Sequence, residues 1–132
     1  MCSLKRLLIV EDQQEDIILA AKIAESLGIE DVEARSSVQA ARGYLDSGLG
    51  GRGPLPDGIL LDLDLGYESG YELLRYWHST PRLSEIPLIV WSVLGDDQRE
   101  MCRLFKVDKY VAKWEGAEAF REALAGLIKS TS

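Results

Sequence analysis

Charged and hydroxyl side chains stand directly after four separate apolar runs in this sequence. They are Glu11 and Asp12 after the first run, and then Asp62, Ser92 and Lys113. A carboxylate at the end of a buried strand has lost much of its water, so its burial is costly unless a partner compensates. Two carboxylates about 4 Å apart repel by roughly 4 kcal/mol at an effective dielectric constant near 20, and one lysine does not neutralise three acids. These residue types therefore predict a hard divalent cation among them.

The chemistry that this set predicts is magnesium-assisted phosphoryl transfer. Mg²⁺ prefers oxygen ligands, usually keeps several waters and binds substrate phosphate. Glu11, Asp12, Asp62 and a nearby backbone carbonyl would hold it and leave room for a phosphoryl oxygen. Asp62 would be the nucleophile that forms an acyl phosphate, while Lys113 and Ser92 would contact the phosphoryl oxygens. Each residue also has a purely structural explanation as a cap, turn or surface residue, so the prediction rests on their coincidence.

Five strand-then-helix units must bring these side chains together. Short apolar runs predict strands at 5–10, 59–62, 86–91 and 108–112, and the weak alternation of DVEAR predicts another at 31–35. A helix follows each strand, the first at 15–27, the fourth at 96–105 and the last around 120–128. This alternation predicts an α/β, flavodoxin-like, doubly wound parallel sheet with helices on both faces. Five-stranded sheets of this class commonly run 2-1-3-4-5. In that order strands one, three, four and five are neighbours, and their terminal residues share one edge.

Length, charge and cysteine content limit the class of protein. The chain has 132 residues, so we expect one domain over 1–132. The net charge of −7 argues against nucleic acid or an anionic membrane as the main partner. The apolar run 7–10 is too short for a signal-peptide core or a membrane span. Cys2 and Cys102 are interpreted as free thiols in a reducing compartment, and we expect a cytoplasmic protein.

The sequence resembles the receiver domain of two-component response regulators, of the single-domain, chemotaxis-regulator-like kind, over nearly its whole length. The matching residues are Glu11-Asp12 after LLIV, Asp62 in PDGILLDLDL, Gly70 in GYELL, Ser92 in IPLIVWS and Lys113 at the end of DKYVAK. The resemblance implies that Asp62 accepts a phosphoryl group, with Mg²⁺, from a histidine kinase or a histidine phosphotransfer protein. It also implies that the chain is not an enzyme and acts on a downstream protein target, which the sequence does not identify.

The resemblance further implies a conformational switch. Ser92 would follow the phosphoryl group inward and Tyr110 would change rotamer, which would alter a partner-binding surface on the fourth helix, fifth strand and fifth helix. Asp64 would lend its backbone carbonyl to the metal, and its side chain is a candidate for orienting water and tuning dephosphorylation. A packing role at the sheet edge is the alternative for Tyr110.

Three positions depart from the family pattern. Trp114 stands where the family has a proline after the lysine with a cis bond, which costs about 2.5–4 kcal/mol before another residue type. Either this bond is trans and Lys113 is displaced, or the bond is cis and the rest of the fold compensates for the strain. Val93 replaces a smaller residue, and its bulk would narrow access to Asp62. Gly66 replaces the usual proline and predicts a more mobile loop.

Two other functions stay open at this point. Val93 and Trp114 motivate a receiver-like interaction module that is not phosphorylated. The segment from Asp62 to Leu65 resembles the start of haloacid-dehalogenase-type phosphatases, although that motif normally ends the first strand of a larger chain. The segment 48–53, GLGGRG, matches the dinucleotide pattern but precedes a strand instead of following one, so it predicts a flexible loop.

Overall fold

The computed structural model describes residues 4–93 and 95–131 and contains a five-stranded parallel sheet. The strands are β1 (Arg6–Val10), β2 (Asp31–Arg35), β3 (Gly58–Leu61), β4 (Leu88–Ser92) and β5 (Lys109–Ala112). Their order in the sheet is β2-β1-β3-β4-β5. The helices are α1 (Gln14–Ser26), α2 (Val38–Leu49), α3 (Tyr71–Ser79), α4 (Asp96–Leu104) and α5 (Ala117–Thr131). The predicted flavodoxin-like fold and strand order are therefore confirmed.

Alternate residues of the central strands pack into two hydrophobic clusters on opposite faces of the sheet. Leu8 of β1 and Leu61 of β3 belong to the cluster beneath α2, α3 and α4. Leu7 of β1 and Leu60 of β3 belong to the cluster beneath α1 and α5. Strands buried on both faces need apolar residues at successive positions, which explains the continuous runs in the sequence. Each such buried side chain contributes about 1.5–3 kcal/mol to folding.

The start of α3 lies directly against the end of β3. The Gly70 N–H donates a hydrogen bond to the carbonyl oxygen of Leu63 at 2.8 Å. A Cβ at position 70 would overlap the carbonyl oxygen of Asp62 and lie 2.9 Å from the Leu63 Cα. Only glycine permits this close approach of two backbone segments, so Gly70 fixes how the chain leaves the edge of the sheet that carries Asp62.

The segment between β3 and α3 is a hairpin where the sequence predicts a mobile loop. Asp64–Leu65 pairs with Glu68–Ser69 in antiparallel fashion. Gly66 opens the two-residue turn with a φ of 77°, as the first position of a type II′ hairpin turn requires. Proline, with its φ fixed near −65°, does not adopt this conformation. The glycine at this position is therefore a requirement of the hairpin.

Several smaller elements also differ from the sequence expectation. The helix α2 continues through Leu49, so the predicted 48–53 loop is wrong at its first two positions; the buried Gly48 packs against Leu55. A short helix, Pro81–Ser84, follows α3, and a 3₁₀ helix, Lys113–Glu115, follows β5. Within the described residues, every helix is too short or too polar to cross a bilayer. Cys102 is a buried free thiol, and Cys2 lies outside the described residues.

Candidate functional site

The carboxyl ends of β1, β3, β4 and β5 meet around a cavity of about 260 Å³. Parallel strands place these ends at one edge of the sheet, which is where open α/β folds bind their ligands. The cavity is lined by Asp12, Gln13, Asp16, Asp62, Asp64, Gly66, Val93 and Lys113. Residues that are distant in sequence are thereby brought together, as their positions at the strand ends predict.

The Lys113 ammonium forms hydrogen bonds to three carboxylates at once. Its Nζ lies 2.7 Å from Glu11 Oε2, 2.6 Å from Asp16 Oδ2 and 2.9 Å from Asp62 Oδ2. Burial lowers the pKa of Lys113, but its hydrogen bonds to Asp16, Glu11 and Asp62 outweigh this effect and raise the pKa above its ordinary value. The lysine is therefore a permanent cation at the centre of the site.

The peptide bond between Lys113 and Trp114 is trans. The chain enters the 3₁₀ helix at Lys113 immediately after β5, and the ammonium still reaches the carboxylates of the site. Of the two possibilities that the sequence leaves open for this bond, the trans form is the one observed, without loss of the contact between Lys113 and Asp62.

Asp16 and Gln13 line the cavity but are not among the site residues predicted from the sequence, and Asp16 is the one of the two whose side chain contacts Lys113. It lies in the first turn of α1, where an acidic residue has a sufficient explanation in the positive end of the helix. Its side chain is 30% exposed and forms an ion pair with Lys113. The available signal is positional: α1 begins right after Glu11 and Asp12, so its first turn must lie beside the same edge of the sheet.

Three carboxylates of the site are close enough to hold one metal ion. Ligand oxygens of Glu11, Asp12 and Asp62 all lie within 4.8 Å of one another. Burial raises the pKa of Glu11 from 4.5 to about 7, and the charge of Asp62 adds to this rise, while hydrogen bonds from Lys113 and the Gln13 N–H oppose it. Carboxylate oxygens are the ligands that Mg²⁺ prefers. The donor set and the cost of ionising Glu11 both fit a divalent cation.

Backbone hydrogen bonds hold the second carboxylate oxygen of both Asp62 and Glu11. The Asp64 N–H donates to Asp62 Oδ1 at 2.9 Å, and the Gln13 N–H donates to Glu11 Oε1 at 3.1 Å. Asp62 is 3% exposed, so its carboxylate is held between a backbone donor and an ammonium at the bottom of the cavity. This arrangement leaves little freedom to the Asp62 carboxylate.

The Ser92 hydroxyl is buried without a hydrogen-bond partner among residues 4–93 and 95–131. Ser92 is the last residue of β4, next to the strand that carries Asp62. A buried hydroxyl without a partner costs about 1–3 kcal/mol, and a bound water, an ion or a functional role can account for such a group. The Tyr44 hydroxyl and the Trp91 indole N–H are also buried without a partner among the described residues. The free acceptor and donor capacity of Ser92 therefore suits the oxygen of a bound group.

The remaining predicted residues lie at the rim of the site or outside it. Val93 lines the cavity and is 56% exposed, whereas Trp114 is 73% exposed and is not part of the lining. The exposed side chain of Asp64 accepts a hydrogen bond from the Gly66 N–H at 3.3 Å. Tyr110 on β5 is half-buried; its hydroxyl donates to the Gly95 carbonyl at 3.5 Å. The guanidinium carbon of Arg99 lies 4.9 Å from the Tyr110 ring centre.

Response regulators are among the proteins to which this chain is similar. The polar-differentiation response regulator DivK of Brucella ovis is 29% identical over 127 residues, which are 94% of this chain and 96% of that protein. The phosphorylated cyanobacterial phytochrome response regulator RcpA superposes with a TM-score of 0.80 at 28% identity, covering 98% of this chain and 97% of that one. The Mn²⁺-bound response regulator Rcp1 gives a TM-score of 0.79 at 26% identity, covering 93% and 91%. No family model matches the chain.

Proposed function

We propose that this chain is a receiver domain of two-component signalling and that Asp62 accepts a phosphoryl group, as its similarity to response regulators over nearly its whole length supports. A response regulator implies a cognate histidine kinase, and the donor would be the phosphohistidine of that kinase or of a histidine phosphotransfer protein. The observation that carries the proposal is the contact of Asp62 Oδ2 with Lys113 Nζ at 2.9 Å, inside a cluster of carboxylates able to hold a metal ion.

The transfer would be a direct displacement at phosphorus. A carboxylate oxygen of Asp62 attacks, the new O–P bond forms, and the P–N bond of the donor breaks with its electron pair returning to the imidazole. Lys113 donates to the phosphoryl oxygens, and the hydroxyl of Ser92 supplies a further hydrogen bond. Mg²⁺, held by Glu11, Asp12, Asp62 and the Asp64 carbonyl, would supply positive charge next to the phosphoryl oxygens.

We further propose that phosphorylation is transmitted to the surface formed by α4, β5 and α5. Ser92 lies three residues before Gly95, whose carbonyl accepts the hydrogen bond of Tyr110. Movement of Ser92 toward a phosphoryl group would therefore change the environment of Tyr110 and of Arg99, which packs on its ring. A rotamer change of Tyr110 then alters what this surface presents to a partner.

The α4–β5 surface carries a positively charged cavity that suits an acidic downstream partner. This cavity has a volume of about 240 Å³. Three cations, Arg99, Arg103 and Lys109, line it together with one acid, Asp108, in a chain whose net charge is −7. The ion pairs of Arg99 with Glu115 and of Arg103 with Glu100 are exposed, and exposed pairs contribute little and exchange easily. The cations are thus available to an acidic segment of the target.

The test is intact mass spectrometry after incubation with acetyl phosphate and Mg²⁺. We expect a phosphoryl adduct on the wild-type protein and none on Asp62→Asn. Asp97→Asn is the matched control, because Asp97 is an exposed acid on α4 and is not among the residues that line the cavity, and it should retain the adduct. A folded wild-type protein without an adduct, whose tryptophan fluorescence is also unresponsive to Mg²⁺ and beryllofluoride, would instead support the unphosphorylated interaction module.

A further inference from the structure

The three carboxylates that contact Lys113 differ in what else they do. A lysine ammonium has three N–H donors, so Glu11, Asp16 and Asp62 together use its whole capacity. Glu11 and Asp62 also belong to the cluster that can hold a metal ion. Asp16 is not part of that cluster, and its contact of 2.6 Å is the shortest of the three.

This division matters once the site is loaded. A cation would draw on oxygen atoms of Glu11 and Asp62, and a phosphoryl group would convert one Asp62 oxygen into the bridging oxygen of an acyl phosphate. Both changes weaken the hold of these two carboxylates on the lysine. The lysine side chain is a compact charge on a flexible four-carbon stem. The orientation of its ammonium group therefore depends on the carboxylate that still contacts it.

Building on the proposed function, we propose that Asp16 is a positioning residue that keeps Lys113 directed into the acceptor site while Glu11 and Asp62 change partners. Asp16 holds the ammonium from α1. On another side, the Trp91 ring centre lies 5.0 Å from Nζ, and that ring stacks on Phe120 at 4.7 Å. The lysine is thus anchored by groups that do not react, and one of its donors can turn to a phosphoryl oxygen without loss of the others.

A double-mutant cycle of Asp16→Ala with Lys113→Met tests the proposal. Glu15→Ala is the control, because Glu15 is an exposed acid in the same turn of α1. The first readout is the rate of adduct formation with acetyl phosphate and Mg²⁺. We expect Asp16→Ala to slow it about three- to tenfold, as the loss of one partly exposed charge-assisted hydrogen bond predicts. Asp16→Asn should recover part of the rate, and Glu15→Ala should match the wild type.

The cycle separates action through the lysine from action on the phosphoryl group itself. In a Lys113→Met background, Asp16→Ala should change the rate no further, since coupled residues are not additive. A faster reaction of Asp16→Ala would mean that Asp16 merely repels the incoming phosphoryl group, and this would overturn the proposal. An equal loss in both backgrounds would overturn it as well.

The second readout does not require phosphorylation. The indole N–H of Trp91 gives a separate signal in a ¹H–¹⁵N correlation spectrum, assigned with Trp91→Phe. In the Mg²⁺-loaded protein, Asp16→Ala should shift this signal in the direction that Lys113→Met shifts it, and Glu15→Ala should not. An unmoved signal in Asp16→Ala would refute the positioning role. If the wild type gives no adduct, the proposed function is wrong. The Trp91 indole signal alone then tests whether Asp16 positions Lys113.

Discussion

Replacing Glu11 with glutamine should stabilise the metal-free protein above pH 7 and leave its stability nearly unchanged near pH 4. The Glu11 carboxyl is 1% exposed, and its burial, reinforced by the charge of Asp62, raises its pKa from 4.5 to about 7 against the hydrogen bonds from Lys113 and Gln13. Between these two values the folded protein binds more protons at this carboxyl than the unfolded chain does. The contribution of Glu11 to stability is therefore complete below pH 4.5 and is lost as the pH rises through 7.

The size of the effect follows from the pKa difference. Each tenfold change in the ionisation equilibrium corresponds to about 1.4 kcal/mol, so a rise from 4.5 to about 7 corresponds to roughly 3 kcal/mol at pH 8. Glutamine has the shape of the protonated carboxyl and keeps an acceptor oxygen for Lys113. We therefore expect Glu11→Gln to be more stable at pH 8 by about 2–3 kcal/mol, which for a chain of this size raises the melting temperature by about 10 °C.

The assay is urea unfolding of the wild type and Glu11→Gln between pH 4 and pH 8, with a chelator present. Glu15→Gln is the control, because Glu15 is exposed, and its stability curve should run parallel to that of the wild type. Saturating Mg²⁺ should reduce the difference in unfolding free energy between Glu11→Gln and the wild type. The cation stabilises the folded protein that it binds, and it should bind the wild type more tightly than the variant, which lacks the Glu11 carboxylate. A stability difference that does not change with pH, or a variant that is less stable at pH 8, would refute the reasoning.

Three further predictions concern single positions. Ser92→Ala should stabilise the protein by about 1 kcal/mol in thermal unfolding, because it removes a buried hydroxyl without a described partner, and should lower the yield of phosphoryl adduct; a destabilised variant would contradict this. Gly70→Ala should destabilise the protein by about 2 kcal/mol or more in urea, because its Cβ would overlap the backbone of Asp62; an unchanged urea midpoint would argue against the close contact. Cys102 should react with iodoacetamide only when the protein unfolds, because burial raises its pKa to about 11; rapid labelling of the native protein at Cys102, distinguished from Cys2 by peptide mass, would show that the thiol is accessible.

The parts of the site that depend on strand ends could be predicted from the sequence. Buried strands in a parallel sheet are recognisable as short apolar runs, and the first polar residue after each run must stand at the same edge. Asp62, Ser92 and Lys113 follow this rule, as does the acidic pair after β1. These residues could be identified because the prediction depends only on where each residue stands along its own strand.

The parts that depend on contacts between elements could not be predicted in this way. Asp16 contacts Lys113 across 97 positions of sequence, and an acid in the first turn of a helix already has a local explanation. The hairpin strands, Asp64–Leu65 and Glu68–Ser69, have two residues each, which is too few for any periodicity. Gly66 is the only local indication of this hairpin. A glycine permits a turn here, but it does not indicate that the residues on either side pair as strands.

The packing of β3 between two hydrophobic clusters has a consequence for the position of Asp62. If β3 slid by one residue, Leu60 and Leu61 would exchange faces, and both clusters would be disrupted together. The same slip would carry Asp62 about 3.3 Å along the strand, farther than the 2.9 Å that separates it from the Lys113 ammonium. Packing of the hydrophobic core therefore fixes the register of β3, and the register sets the distance between Asp62 and Lys113. The sequences of the loops at this edge of the sheet do not determine that distance.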